Sequence, residues 1–147
     1  MDEKHEARLF ELADLILAIS RHLHAAKADA AESWTPIEAA VMRYIDHRPG
    51  ATPTQAARAT QMISSNFSRA LRKLEHKGLV RRVADPGDAR RVRLYPTEKA
   101  GENLRYLQET WSRLLDEAVP DPADADAVIT VLRRIESQLL GGADSGP

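Results

Sequence analysis

The hydrophobic rhythm of this chain changes once in its middle, and that change fixes the kind of fold available to it. Phe67, Leu71 and Leu74 are spaced four and three apart, the period of one buried helix face. After Gly78 the period becomes two: Leu79, Arg81 and Val83 share one side, and Val92 and Leu94 alternate with Arg91 and Arg93. Between these runs stands Asp85-Pro86-Gly87-Asp88, with proline where a fixed negative φ is wanted and glycine where a positive φ is tolerated. The spacing therefore predicts a helix ending at Gly78, then a hairpin with a type II turn and a longer loop through Arg90.

Charge follows the same boundaries. Between Ser64 and Arg93 the cations are Arg69, Arg72, Lys73, Lys77, Arg81, Arg82, Arg90, Arg91 and Arg93, against Glu75, Asp85 and Asp88. Nine cations against three acids leave an excess of six, so a chain of net charge −1 carries seven net negative charges elsewhere. Positive potential gathered on one helix and one hairpin suits a phosphate backbone. The expected unit is a DNA-reading helix followed by a basic wing.

Other elements frame it. Leu9, Leu12, Ile16, Ile19 and Leu23 recur three and four apart, as do Leu104, Leu107, Trp111, Leu114 and Ala118, and, past Pro120 and Pro122, Val128, Leu132, Ile135 and Leu139. These are three long helices. Inside them, Thr35-Pro36-Ile37-Glu38 reads as a capping box opening a helix that buries Ile37, Val41, Tyr44 and Ile45 and stops at Pro49-Gly50. Thr52-Pro53-Thr54-Gln55 repeats the device for a short helix through about Ala59, and Thr97 caps the helix after the hairpin.

The expected fold is mainly α with a small β-hairpin wing, an α+β winged helix-turn-helix. Residues 1–34 form an N-terminal dimerisation helix, 35–97 the DNA-binding lobe, 98–140 the C-terminal dimerisation helices and 141–147 a disordered tail, in one compact domain. The long helices lie at opposite ends of a short chain whose middle is already compact, so their wide apolar faces are buried more easily if two chains interleave. An intertwined homodimer is expected, with Leu9, Leu12, Ile16, Ile19, Leu107, Trp111, Leu114, Leu132, Ile135 and Leu139 at its interface.

Composition narrows the function. The chain has no cysteine, which excludes disulfides, thiolate metal sites and thiol-based sensing. The acidic start, Met1-Asp2-Glu3-Lys4-His5-Glu6, lacks the basic and apolar regions of a secretory leader, so a cytoplasmic location is expected. No Gly-x-Ser-x-Gly elbow, Walker motif or dinucleotide glycine motif appears. His22 and His24 are two apart on a helix and face apart, while His5, His47 and His76 are isolated. Neither an enzyme, a metal site nor a cofactor is expected.

The remaining chemistry is recognition of DNA. A helix in the major groove reads base pairs with the polar side chains of its first turns, and Ser64, Ser65, Asn66, Ser68 and Arg69 occupy those turns. Arginine pairs bidentately with guanine and asparagine with adenine, which makes Arg69 the leading base reader. Arg72, Lys73 and Lys77 lie farther along, where phosphates run, and Thr54 can donate to a phosphate. On the wing, Arg90 and Arg91 are cations for the minor groove and backbone, with Asp88 expected to orient a neighbouring guanidinium. A winged protein-interaction adaptor with no specific DNA target is the alternative, and it has no reason to line both helix and wing with cations.

These residues resemble the multiple antibiotic resistance regulator (MarR) family of winged helix-turn-helix transcription factors, over nearly the whole chain. Ser65-Asn66-Phe67-Ser68-Arg69 resembles the start of the family's recognition helix and Leu74-Glu75-His76-Lys77-Gly78-Leu79-Val80 its exit into the wing. Asp85-Pro86-Gly87-Asp88-Ala89-Arg90 resembles the wing signature, with Asp88 and Arg90 on its characteristic aspartate and arginine, and Pro96-Thr97-Glu98-Lys99-Ala100-Gly101 resembles the family's segment beyond the wing. Two positions depart: Gly87 stands where many members carry arginine, and Ile63 where an aspartate commonly sits, leaving Ser64 or a neighbour to cap the recognition helix. The resemblance implies a dimeric repressor on a palindromic operator, released by a small aromatic or amphipathic effector. Trp34, Tyr44 and Trp111 are the side chains expected to line the effector pocket.

Overall fold

The computed structural model describes residues 1–26 and 34–141. Its elements run α1 (Glu3–Ala26), α2 (Pro36–His47), α3 (Pro53–Ala59), α4 (Ser64–His76), β1 (Val80–Asp85), β2 (Asp88–Pro96), α5 (Glu98–Asp116) and α6 (Pro122–Gly141). By contacts the chain divides into two compact units, Met1–Trp34 and Thr35–Pro147.

Among its described residues the first unit contains the helix α1, none of whose residues is buried. Leu9, Ile16 and Ile19 of its stripe are exposed and Leu12 is half-buried.

In the second unit the core forms where α2 packs on α4 and the hairpin closes over both. Val41, Met42 and Ile45 from α2 meet Phe67, Leu71 and Leu74 from α4, with Leu79, Val80 and Leu94 from the hairpin region. Each fully buried side chain of this size contributes about 1.5–3 kcal/mol. Ile37 and Tyr44 depart from the expected core: Ile37 is 46% exposed and Tyr44 half-buried. Met42, which the pattern left out of the core, is fully buried beside Val41 in the chain.

Two further local expectations are corrected. Thr35 caps α2 by accepting from the Glu38 N–H at 3.1 Å, but the Glu38 side chain does not return to the cap, because it is buried and bonds Lys77 Nζ at 2.7 Å. Thr52 and Gln55 do form the reciprocal box, at 3.2 and 2.9 Å. The α4 N-cap is Ile63, which offers no side-chain bond, so Ser64 is the first helical residue and not the cap. Gly141 closes α6 where a tail was expected, and the rest of that tail, from residue 142 on, lies outside the described residues.

Gly78 ends α4 as the sequence predicts. Its φ of 75° lets its N–H reach the Glu75 carbonyl at 2.9 Å while the Leu79 N–H reaches that of Leu74 at 2.9 Å, a paired closure that returns the chain toward the hairpin. Thr97 both caps α5, accepting from Ala100 at 3.2 Å, and donates to the Gly78 carbonyl at 2.6 Å. Helix end, strand exit and the next helix start are thereby tied together.

The wing differs from its predicted turn. β1 and β2 pair antiparallel from Val80↔Pro96 to Ala84↔Val92, and then Asp85 pairs with Asp88. Gly87 does not have positive φ, so the turn is not type II. The Asp85 carboxylate takes over the turn's closure by accepting from the Gly87 N–H at 3.0 Å. Strand β2 already begins at Asp88, so the long loop is replaced by a bulge in which residues 89–91 have no counterpart on β1.

Candidate nucleic-acid interface

The outer face of α4 collects the side chains that the sequence assigned to base reading. Burying Phe67, Ala70, Leu71 and Leu74 forces the intervening residues outward, so Ser64, Ser65, Ser68, Arg69, Arg72 and Lys73 are all exposed and Asn66 half-buried. Asn66, Arg69 and Lys73 also edge a small cleft of about 190 Å³ whose other wall is the start of α2, at Thr35, Ile37 and Glu38.

Lys77 leaves this group. Its ammonium holds the carboxylate of Glu38, which is only 2% exposed, so the lysine expected on phosphate joins the end of α4 to the start of α2. No local pattern marks this pair, because the two residues are far apart in the chain and each looks like a surface charge.

The wing is tied to the helical part of the lobe at its base. The segment between α2 and α3 bridges β2: the Gly50 N–H donates to the Leu94 carbonyl at 2.8 Å and the Leu94 N–H to that of Ala51 at 2.9 Å. Arg93 adds a side-chain tether, donating to the Gly50 carbonyl at 3.0 Å while its Nε and Nη2 meet the Asp85 carboxylate at 3.1 and 3.0 Å. The Gly87 amide bond, followed by the neighbouring Arg93 and Arg91 charges, holds the Asp85 carboxyl below its ordinary range. Asp85, which no sequence motif marks for the role, is thus the residue that orients a guanidinium. Asp88 instead accepts from the backbone N–H of Arg90 at 3.0 Å, fixing the bulge and not a side chain.

Between the wing and α3 lies the larger cleft, about 560 Å³. Thr52, Thr54 and Arg58 line its α3 side, and Arg82, Arg90 and Arg91 are among the wing residues on the other. No acidic residue lines it. Arg82 bonds Glu75 and Arg93 bonds Asp85, whereas Arg58, Arg90 and Arg91 have no carboxylate partner among the described residues. Nothing in the sequence singles out Arg58, because it lies outside the basic window.

The expected interface residues divide. Leu114, Leu132 and Leu139 are exposed and Trp111 and Ile135 half-buried, but Leu107 is only 7% exposed and belongs to the chain's own core. Of the expected pocket residues, Trp34, Tyr44 and Trp111 are half-buried, and neither cleft described above includes them. Among the described residues no cluster of three or more metal-binding side chains forms, and no helix is long and apolar enough to cross a membrane.

Comparison with known proteins bears on this geometry. Residues 34–91 match the MarR family model. The chain is similar in structure to a MarR family protein from Bacillus stearothermophilus, at 20% identity over 95% of this chain and 98% of that one, with a TM-score of 0.75. It is also similar to the transcriptional regulator BldR from Sulfolobus solfataricus (22% identity, 94% and 99% covered, TM-score 0.69). A third similar structure is the transcriptional repressor CouR, solved on a 23-mer DNA duplex (24% identity, 92% and 96% covered, TM-score 0.68). No curated protein sequence matches the chain significantly. Residues 34–91 are therefore similar to the MarR family, and the chain has the winged helix-turn-helix fold of the MarR structures it resembles.

Proposed function

We propose that this chain is a sequence-specific regulator of transcription that binds a palindromic operator in double-stranded DNA as a homodimer and represses it. The observation that carries this reading is that one lobe presents both an exposed polar and basic helix face and an arginine-lined cleft. Ser65, Ser68, Arg69, Arg72 and Lys73 of α4 are exposed, and the cleft between α3 and the wing is lined by arginines without an acidic residue. In this reading α4 lies in the major groove, with Ser64, Ser65, Asn66, Ser68 and Arg69 on the turns that face bases, Arg69 foremost, and Arg72, Lys73 and Thr54 on or near phosphates. The wing enters the minor groove with Arg90, supported through its backbone by Asp88.

Dimerisation is supported by what the described helices leave uncovered. α1 and α6 contain no buried residue, yet Leu9, Ile16, Ile19, Leu132 and Leu139 line them. A second copy would cover those side chains and set two α4 helices one DNA turn, about 10 base pairs, apart. A small amphipathic effector near Trp34, Tyr44 and Trp111 would release the operator by favouring a different separation. The chain works without a cofactor or catalytic step, in the cytoplasm where its DNA target lies.

Selection of bound sequences from a random duplex library tests this directly. An inverted repeat is expected, Arg69→Ala relaxing its sequence preference and Arg90→Ala weakening binding to all sequences alike. Absence of any enriched sequence at low salt, or a stable monomer in solution, refutes it.

A further inference from the structure

Among the described residues other than glycine, Gln61 alone has a positive φ, 55°. It closes α3 in the turn that leads to α4: its N–H bonds the Arg58 carbonyl at 3.1 Å and the Met62 N–H bonds that of Ala57 at 3.3 Å. Glycine takes this conformation without steric cost, whereas a glutamine holds it against strain. The side chain supplies a reason. Gln61 Nε2 donates to the Leu139 carbonyl at 3.4 Å, in the last turn of α6, where helix carbonyls have no partner within the helix. Nearby in α6, Glu136 meets Arg43 of α2 at 3.0 Å, a second tie between α6 and the lobe. The Leu139 side chain is itself exposed, on the face that the dimer reading covers.

The other end of α4 is held from α5. Lys99, in the first turn of α5, donates from Nζ to the carbonyl of Lys77, the C-cap of α4, at 2.7 Å. A cation at a helix C-terminus is favoured by the helix dipole. The Lys77 ammonium bonds Glu38, so the same residue is fastened to α2 by its side chain and to α5 by its backbone.

We propose that Gln61 and Lys99 are positioning residues for operator recognition: they mount the two ends of α4 on α6 and α5, and so fix the half-site separation that the dimer accepts. This rests on the reading of the chain as a dimeric operator-binding protein. One added base pair moves a half-site by about 3.4 Å along the duplex. A recognition helix loosened at its ends tolerates that shift, while every base-facing side chain stays in place. Neither residue acts by touching DNA.

The test measures binding of the full chain to duplexes that carry the selected half-site as an inverted repeat, at the selected separation and with one or two base pairs added or removed. Gln61→Gly and Lys99→Met should each lower the preference for the selected separation by about threefold or more, with base preference within the half-site unchanged. Gln61→Gly also relieves the positive φ and should unfold no earlier than the parent, which separates positioning from stability. Lys99→Arg keeps a donor and should restore the preference, and Lys99→Met should leave the salt slope unchanged. Hydrogen exchange without DNA, at the amides of Phe67 and Leu79, is expected to quicken in Gln61→Gly and Lys99→Met respectively. Unchanged separation preference in both variants overturns the proposal, even with operator binding retained and exchange quickened. A fall in salt slope in Lys99→Met makes Lys99 a phosphate contact and overturns its assignment. If the parent ignores every duplex, the operator reading fails, and quickened exchange still supports the mounting of α4 that unchanged exchange would refute.

Discussion

Replacing Lys77 by alanine should destabilise the protein well beyond what a surface lysine would. The Glu38 carboxylate is 2% exposed and its bond to Lys77 Nζ is 2.7 Å, so deletion of the ammonium leaves a buried charge without its partner. Breaking a buried pair on one side costs about 3–5 kcal/mol. The Lys77 side chain is 24% exposed, so water can partly replace it, and the low end, about 3 kcal/mol, is expected. For a chain of this size that corresponds to a fall in Tm of about 6–12 °C, measured by calorimetry at fixed protein concentration because an oligomer's Tm depends on it. The double variant Glu38→Leu with Lys77→Met removes both charges and keeps the volume, and should return to within about 1 kcal/mol of the parent. A loss below about 1 kcal/mol in Lys77→Ala, or a double variant no better than the single one, would refute the reasoning. Because this pair anchors the end of α4 to the start of α2, the single variant should also blur operator preference while leaving every base-facing side chain in place.

Two other perturbations test local claims. Burial pushes the Asp46 carboxyl up to about 6 from its ordinary 3.8, so the folded chain keeps a proton that the unfolded chain has lost. Its contribution is intact below about pH 3.8 and is lost as pH rises through about 6. Asp46→Asn should therefore raise stability at pH 7.5 by about 1 kcal/mol, less than the full shift implies because the group is only partly buried, and leave it unchanged near pH 3.5. A gain that is the same at both pH values contradicts the assignment. At the start of α4, Ile63 is 67% exposed with φ −64° and ψ 145°, the extended geometry of a capping residue without a capping atom. Ile63→Ser should add about 1 kcal/mol, read as a higher urea midpoint at unchanged m-value. No shift would mean the first turn of α4 is already satisfied by other means.

The elements were legible because their causes are local. Thr35 and Thr52 announce helix starts, Gly78 a helix end, and Phe67, Leu71 and Leu74 a buried face, each through residues within one or two turns of chain. The misreadings came from competition across the fold. Glu38 fits a capping box by spacing, but a lysine thirty-nine residues later binds it more strongly in the interior. Pro86-Gly87 suits a type II turn, but Asp85 accepts the Gly87 N–H and the strand bulges at residues 89–91, so the backbone takes another path. Leu107 shares a helical stripe with Leu114, yet one is buried and the other exposed, because a stripe's period does not say which turns of α5 face the chain's own core. The place of Arg58 in the arginine-lined cleft was equally hidden, since it depends on α3 packing beside β2, next to the bridge between Ala51 and Leu94.

The same distinction governs how far sequence charge translates into DNA affinity. Counting residues gives nine cations between Ser64 and Arg93, but Lys77, Arg82 and Arg93 are matched by Glu38, Glu75 and Asp85. Six remain without a carboxylate partner among the described residues, and one of them, Arg81, lies over the Tyr95 ring at 5.0 Å. Only cations that meet phosphate release counterions, each contributing about 0.9 to the slope of log K against log salt. The structure therefore sets an upper bound of about 5.4 per subunit from this window, against about 8.1 from the residue count. The paired charges should be silent: Glu38→Leu with Lys77→Met removes a cation at the C-terminal end of α4 and is expected to leave the slope unchanged. Arg72→Gln removes one unmatched cation and should lower the slope by about 0.9 per subunit. Filter-binding titrations across a salt series separate the two, and an equal fall in both variants would mean that Lys77 exchanges its buried carboxylate for the duplex on binding.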